Sequence, residues 1–185
     1  MKTIAVLALS TVLVGCSTYA VPRYSISTDT VVALRAVGDV KANVGEFRND
    51  SPTNKDSQPG EIMCRAVGPI KTPDGESYAD YVRKALISEL IIANIYEKES
   101  TLELTGRLTT LDFDSMGGTW TVGMELSSSN GKSIAVNNTH KYTSSFYGET
   151  ACNQTAQAGL GAIQDAIRAL VTHADFKTLL AEESK

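Results

Sequence analysis

One segment holds the side chains best suited to bind a small polar ligand. Thr143–Glu149 combines adjacent hydroxyl groups with Tyr147 and Glu149, and such groups hydrogen-bond to sugars and peptides. The same side chains would also satisfy backbone amides at the start of a following helix, where the helix dipole favours an acid. We favour the structural role, and we keep Thr143, Ser145, Tyr147 and Glu149 as candidate binding residues.

Residues of catalytic type are sparse. His140 and His173 are the only histidines in the chain, and a catalytic histidine needs a nucleophile and an orienting acid within hydrogen-bonding reach. The sequence has no Gly-x-Ser-x-Gly segment, the usual signature of a nucleophilic serine. Asp112 and Asp114 share a turn region without an EF-hand loop around them. We therefore expect no catalytic residue, no metal site and no cofactor, and a protein that is not an enzyme.

The amino terminus carries a targeting signal. Lys2 precedes an almost wholly apolar run, Ile4–Val14, which has the length of a signal-peptide core and is too short to span a bilayer comfortably. The run closes with the letters LVGC at residues 13–16, a pattern that resembles the bacterial lipobox. The resemblance implies that residues 1–15 are removed and that Cys16 becomes the acylated first residue. The alternative is a signal peptide that ends in cysteine by chance.

Lipidation sets the expected location. Ser17 follows Cys16, whereas aspartate there would resemble the inner-membrane retention signal of enteric bacteria. We expect the periplasmic face of the outer membrane, with the inner membrane as the alternative. The formal net charge of −4 gives no attraction to anionic headgroups, so membrane attachment should depend on the lipid. The same charge argues against nucleic acid as a partner.

Two cysteines remain, Cys64 and Cys152. In an oxidising periplasm two cysteines are expected to pair, with two unpaired buried thiols as the alternative. Neither cysteine has a second Cys or a His at metal-ligand spacing. The sequence therefore predicts a disulfide bond between them.

Beyond residue 15 the chain divides into a tether and one domain. Residues 16–28 are polar, contain Pro22 and lack periodicity, which predicts a flexible tether. Residues 29–185 suffice for a single domain with its own core. In its first part we predict a short helix capped by Asp29, two strands and a polar surface loop: helix Thr30–Ala36, strands Val40–Phe47 and Glu61–Val67, and loop 48–60.

The clearest helix begins after Ser77. Ser77 and Asp80 resemble a capping box, so we predict a helix that starts at Tyr78 and stops near Asn94. Apolar side chains recur at helical spacing along it and form one stripe: Tyr78, Tyr81, Val82, Ala85, Leu86, Leu90 and Ala93.

Three strands and a long helix complete the predicted domain. Alternating side chains indicate half-buried strands, and Asn130-Gly131 is a strong hairpin signal. The strands are expected over Thr101–Leu108, 119–126 and Ser133–Ser145, the helix over Cys152–Val171, and a last short helix after Asp175. The order predicts an α+β fold, an antiparallel sheet of four to five strands with two main helices on one face.

The chain contains the stretches CRAVGPIKTPDGES at residues 64–77 and TSSFYGETACNQTA at residues 143–156. Both stretches resemble a family of proteobacterial lipoproteins. The resemblance covers most of the chain after residue 15 and implies no particular activity. More loosely, the element order is similar to that of small periplasmic accessory lipoproteins and of the amino-terminal domain of the Tol-Pal propeller protein, a likeness of topology that cannot assign function.

The expected function is to bind another component of the cell envelope, as a non-enzymatic accessory or assembly factor on a lipid anchor. The alternative is an enzyme or receptor for cell-wall or glycan molecules that uses Thr143–Glu149. We predict that the partner protein contacts the outward face of the strand meander, represented by Thr105 and Thr121. The second candidate contact is an exposed strand edge to which a partner adds a strand.

Overall fold

A computed structural model describes residues 19–54 and 58–181. The predicted signal peptide and the lipidation site Cys16 lie outside these residues. The described chain contains seven strands, four α-helices and a short 3-10 turn. In chain order they are β1 Tyr19–Ala20, α1 Thr28–Arg35, β2 Asn43–Asn49, the 3-10 turn Pro52–Asn54, β3 Glu61–Cys64, β4 Gly68–Lys71, α2 Tyr78–Ile92, β5 Glu103–Asp114, β6 Thr119–Ser128, β7 Ser133–Lys141, α3 Gly148–Val171 and α4 Phe176–Leu179.

The α+β class is confirmed, but the strands form two sheets. The main sheet has the order β2-β5-β6-β7, and β2 runs parallel to β5 while the other pairs are antiparallel. A smaller sheet has the order β1-β4-β3. The main sheet has four strands, within the expected four to five, but its β2–β5 pair is parallel rather than antiparallel. Helix α2 lies between these two strands in the chain and brings β5 back parallel to β2, as crossover connections do.

The core lies between one face of the main sheet and the helices α2 and α3. Alternate strand residues face inward and are fully buried, among them Leu104, Leu108 and Trp120. The indole N–H of Trp120 donates to the carbonyl of Thr155 on α3 at 2.8 Å, so the largest core side chain has its polar atom satisfied. The expected placement of two main helices over one sheet face is confirmed.

Helix α2 begins and ends where its residues predict. The Ser77 hydroxyl accepts the backbone N–H of Asp80 at 3.0 Å and also bonds to the Asp80 carboxylate, which makes Ser77 the N-cap. At the other end Asn94 has a φ of 64°, the left-handed conformation that terminates many helices. All seven residues of the predicted stripe are buried.

The tether prediction for residues 16–28 is wrong from Tyr19 onwards. Val21 is 1% exposed and its N–H donates to the Lys71 carbonyl at 2.8 Å. Residues 19–27 lie against α2 and α3, and we call them the amino-terminal strap. The sequence of the strap shows no periodic apolar pattern, because the strap is held mainly by hydrogen bonds to residues far along the chain rather than by a regular apolar face.

Three contacts fix the strap along its length. The Tyr81 hydroxyl donates to the Pro22 carbonyl at 2.8 Å, and the Gln164 side-chain amide donates to the Ser25 carbonyl at 2.8 Å. The carboxylate of Glu89, which is fully buried, accepts the Tyr24 hydroxyl at 2.6 Å. The strap continues into α1, whose N-cap is Ser27 rather than the expected Asp29.

Several element boundaries differ from the predictions for local reasons. The strand expected to reach Val67 ends at Cys64, where the chain turns back as β4, because Arg65 adopts a φ of 50°. β7 ends at Lys141 rather than Ser145, and α3 begins at Gly148 rather than Cys152. Within the loop predicted as polar and exposed, Ser51 is buried and its hydroxyl accepts the Leu111 N–H at 2.9 Å.

The hairpin predicted at Asn130-Gly131 is present between β6 and β7. Only Gly131 has positive φ, at 80°, and the Asn130 side-chain amide instead donates to the carbonyls of Thr178 and Ala181. Asn130 thereby ties the hairpin to the end of the described chain.

Among the described residues, no helix combines the length and apolar character needed to cross a membrane.

Candidate functional site

The predicted disulfide is present and defines one end of the domain. The sulfur atoms of Cys64 and Cys152 are 2.11 Å apart, and both residues are fully buried. The bond joins the end of β3 to the first turns of α3. We call the region around it the disulfide end, and three connections meet there: residues 65–67, 115–118 and 142–147.

Arg65 holds these three connections together. Its guanidinium donates to the Ser115 hydroxyl at 2.9 Å, to the Ser115 carbonyl at 3.0 Å and to the Phe146 carbonyl at 3.2 Å. The Ser144 hydroxyl also donates to the Ser115 carbonyl. A planar guanidinium with several donors suits such a junction.

The 115–118 turn is stabilised by Asp114. The Asp114 carboxylate accepts the backbone N–H of Met116 at 2.8 Å. Backbone hydrogen bonds from Gly117 and Met116 lower the pKa of this carboxyl, with a smaller contribution from the charge of Arg65. The turn therefore holds the Met116 side chain outward while its backbone stays bonded to the domain.

Three large apolar side chains project from the disulfide end. Met116 is 65% exposed, Phe146 83% and Tyr147 76%, and the rings of Phe146 and Tyr147 meet edge to face with centroids 6.3 Å apart. We call these three residues the apolar tip. Sequence analysis missed Met116 and Phe146 because an apolar residue in a connecting segment does not reveal its exposure.

The candidate binding segment Thr143–Glu149 runs through this end. Thr143, Tyr147 and Glu149 are exposed, while the Ser145 hydroxyl accepts the backbone N–H of Tyr147 at 3.2 Å. Ser145 thus orders the chain just before α3, the local role that the sequence favoured. Glu149 lies in the first turn of α3, where the helix dipole stabilises an acid.

His140 does not belong to this segment. Its Nδ1 lies 2.8 Å from a carboxylate oxygen of Asp165, and its ring packs against Gly161. Gly161 is twelve residues beyond Glu149 on α3, or about 18 Å along the helix. The structure therefore does not bring His140, Tyr147 and Glu149 together around one cavity. Among the described residues no group of three metal-ligating side chains is found.

Thr105 and Thr121 lie on the outer face of the main sheet, away from the helices. Thr105 is opposite Ser127, and Thr121 is opposite Asp112, so the two threonines are about 20 Å apart along the strands. Between them Arg107 bonds to Glu125 at 2.5 Å and lies 3.5 Å from Asp50. This face is exposed to solvent, and Arg107, Glu125 and Asp50 place charges in its middle.

Strand β7 forms a free edge of the main sheet, since β6 is its one strand neighbour among the described residues. The Tyr142 N–H donates to the Gly118 carbonyl, and the Ser128 N–H donates to the Lys132 carbonyl. Facing residues of an antiparallel ladder alternate between hydrogen-bonded and non-hydrogen-bonded pairs. The backbone groups of Ala135, Asn137 and Thr139 therefore point away from β6, toward solvent.

A separate groove of about 970 Å³ lies at the opposite end of the domain. It is open and lined by polar and apolar side chains from the starts of β2 and β5 and from the β6–β7 hairpin, including Lys41, Thr101 and Asn130. Sequence analysis did not predict it, because its walls come from connections remote in sequence. The charged side chains among its lining residues are Asp39 and Lys41.

Comparisons with known proteins reveal likeness of fold alone. No family model matches the sequence, and no curated protein matches it. A crystal structure of protein XCC0632 from Xanthomonas campestris, described with the family model DUF330, superposes with a TM-score of 0.52 at 10% identity. The match covers 84% of this chain and 95% of that one.

Proposed function

We propose that this protein is a bacterial lipoprotein of the outer membrane that binds another component of the cell envelope. It is held on the periplasmic face by lipid on Cys16 and acts as a non-enzymatic accessory or assembly factor. The likeness to XCC0632 extends to fold and does not identify the partner.

The pairing of Tyr19 with Ile70 is compatible with lipid anchorage at Cys16. Tyr19 begins β1 three residues after Cys16. Cleavage before Cys16 would therefore remove none of the described domain and would leave the acylated cysteine next to it. Three acyl chains exceed the two signals that stable attachment requires.

Replacing Cys16 by serine tests the anchor. We expect the wild-type protein in the outer-membrane fraction and Cys16→Ser in the soluble fraction, because without the thiol no thioether forms and the acidic domain has no charge attraction to the bilayer. The measurement is fractionation with an immunoblot, and metabolic labelling with an alkyne fatty acid checks acylation. Variant protein that still fractionates with membranes would contradict lipid anchorage.

The free edge of β7 is the observation that supports a protein partner. Its outward amides and carbonyls are arranged to accept a strand from another chain. The outer face, the contact expected from the sequence, is the weaker candidate because the Arg107–Glu125 and Arg107–Asp50 pairs would have to be desolvated beneath a partner.

Two variants separate the edge from the face. Asn137→Pro removes one outward N–H without breaking a bond to β6, and proline is tolerated at sheet edges. We expect it to abolish the crosslinked adduct formed by the tagged protein in intact membranes. Asn137→Ala keeps the N–H and should keep the adduct.

The face is tested by Thr105→Lys combined with Thr121→Lys, which we expect to preserve the adduct. Loss of the adduct in this variant alone would move the contact to the face. Normal adducts in all variants would contradict partner binding through the sheet. If no adduct forms and Glu149→Ala instead abolishes binding of a glycan, the alternative receptor or enzyme function would replace ours.

A further inference from the structure

We propose that the apolar tip, Met116, Phe146 and Tyr147, inserts into the headgroup region of the phospholipid bilayer. The domain would then stand on the membrane with its disulfide end down and its β6–β7 hairpin away from the surface. This inference rests on the proposed anchoring of Cys16 and adds an orientation and a lipid contact site to it.

The direction of β1 puts its first residue, Tyr19, at the end of the strand that is nearer to the disulfide end. β1 runs parallel to β4, with Tyr19 paired to Ile70. β4 starts at Gly68, next to the disulfide end. Tyr19 lies about 7 Å along the strand from the level of Gly68.

The length of chain between Cys16 and the domain limits the distance between the domain and the membrane surface. Three peptide units join Cys16 to Tyr19, and they span about 11 Å at most when fully extended. The strap fixes Tyr19 to the domain, so no further chain can be released without breaking its contacts. Tyr19 therefore stays within about 11 Å of the acylated Cys16, which keeps the neighbouring disulfide end close to the lipid surface.

The chemistry of the tip fits the bilayer interface. Phe146 and Tyr147 offer apolar rings, one with a polar hydroxyl, the combination found where proteins meet headgroups. Within two residues of the three connections the Asp, Glu, Lys and Arg side chains are Arg65, Asp114, Lys141 and Glu149, two of each sign. Insertion should therefore depend on apolar contact and be insensitive to anionic lipid.

A tryptophan reporter tests the contact directly. The chain has one tryptophan, Trp120, which is 1% exposed and gives a constant background. Phe146→Trp places a second tryptophan at the tip. Ile91→Trp is the matched control, because Ile91 is 53% exposed and lies near the C-terminus of α2, beside the Arg35–Ile92 contact and the Ala42–Tyr96 bridge at the opposite end of the domain.

Full-length lipidated protein is reconstituted into phosphatidylethanolamine vesicles whose acyl chains are brominated near the headgroup, and bound protein is isolated by flotation. We expect the added fluorescence of Phe146→Trp to be mostly quenched and blue-shifted, and that of Ile91→Trp to be unchanged. Replacing part of the lipid by phosphatidylglycerol should leave both results unaltered.

The outcomes distinguish membrane contact by the apolar tip from the lipid anchorage on which it rests. If the variants float but the added tryptophan of Phe146→Trp is no more quenched than that of Ile91→Trp, membrane contact by the tip is overturned and lipid anchorage stays intact. Wild-type protein that carries no lipid and does not float overturns both. Equal and strong quenching in the two variants would show a domain without fixed orientation and would also overturn the inference.

Discussion

Replacing Cys64 and Cys152 together by alanine should lower the free energy of unfolding by up to about 4.5 kcal/mol, because it removes a long-range cross-link. The bond closes a loop with a sequence separation of 88 residues, and a cross-link of that length removes much conformational entropy from the unfolded chain. Urea denaturation of the oxidised wild type and the variant measures the difference.

Reduction provides the matched control for this prediction. A reductant should lower the denaturation midpoint of the wild type toward that of the variant and should not change the variant. Alkylation of the unfolded, non-reduced wild type should leave both cysteines unmodified. A wild-type midpoint that is insensitive to reductant, or alkylation of both thiols, would contradict the disulfide.

Replacing Glu89 by leucine is the other large loss that we expect, about 2–6 kcal/mol for two lost hydrogen bonds. Its buried carboxylate accepts the Tyr24 hydroxyl and the Ser27 N–H, at 2.6 and 2.8 Å. Burial, reinforced by Glu89, raises the pKa of Tyr24, so the phenol remains a donor. Leucine would leave these two part-buried donors without their acceptor, at about 1–3 kcal/mol each.

The strap provides a second measurement of the same change. Arg23 is bonded to Asp74 in the wild type, and release of the strap should make the bond after Arg23 a fast site for trypsin. Glu89→Gln keeps an acceptor oxygen and should lose less stability and remain resistant. Equal stability and equal trypsin resistance in Glu89→Leu and the wild type would show that the carboxylate does not hold the strap.

Sequence analysis succeeded where one local pattern decides the structure. Ser77 and the apolar stripe specify α2 because a cap and helical spacing depend on residues within a few turns. Alternation specifies β5 and β6 for the same reason. Cys64 and Cys152 could be paired because no other cysteine remained after Cys16.

It failed where a segment depends on distant partners. The strand β1 has two residues, and its pairing with β4 bridges about fifty positions of the chain. From the sequence, Glu89 resembles any charged residue of a helix, although its carboxylate accepts hydrogen bonds from Tyr24 and Ser27. Such contacts leave no periodicity in either segment, so the strap was predicted as a tether.

The candidate site was predictable in part. Thr143–Glu149 does occupy a shared corner of the domain, next to the disulfide. Its composition could not reveal that Arg65 and Ser115 meet there, because they arrive from turns remote in sequence. The free edge of β7 likewise follows from sheet order, which alternation within one strand does not encode.

The strap also constrains when the domain can be completed during export. Its residues leave the ribosome first, yet Ser25 bonds to Gln164, a separation of 139 residues. In a chain secreted amino terminus first, the groove that receives the strap does not exist until α3 has crossed the membrane. Under the proposed lipidation of Cys16, the start of the chain would thus stay accessible to processing enzymes through most of translocation, and the lipid could be added before the fold closes.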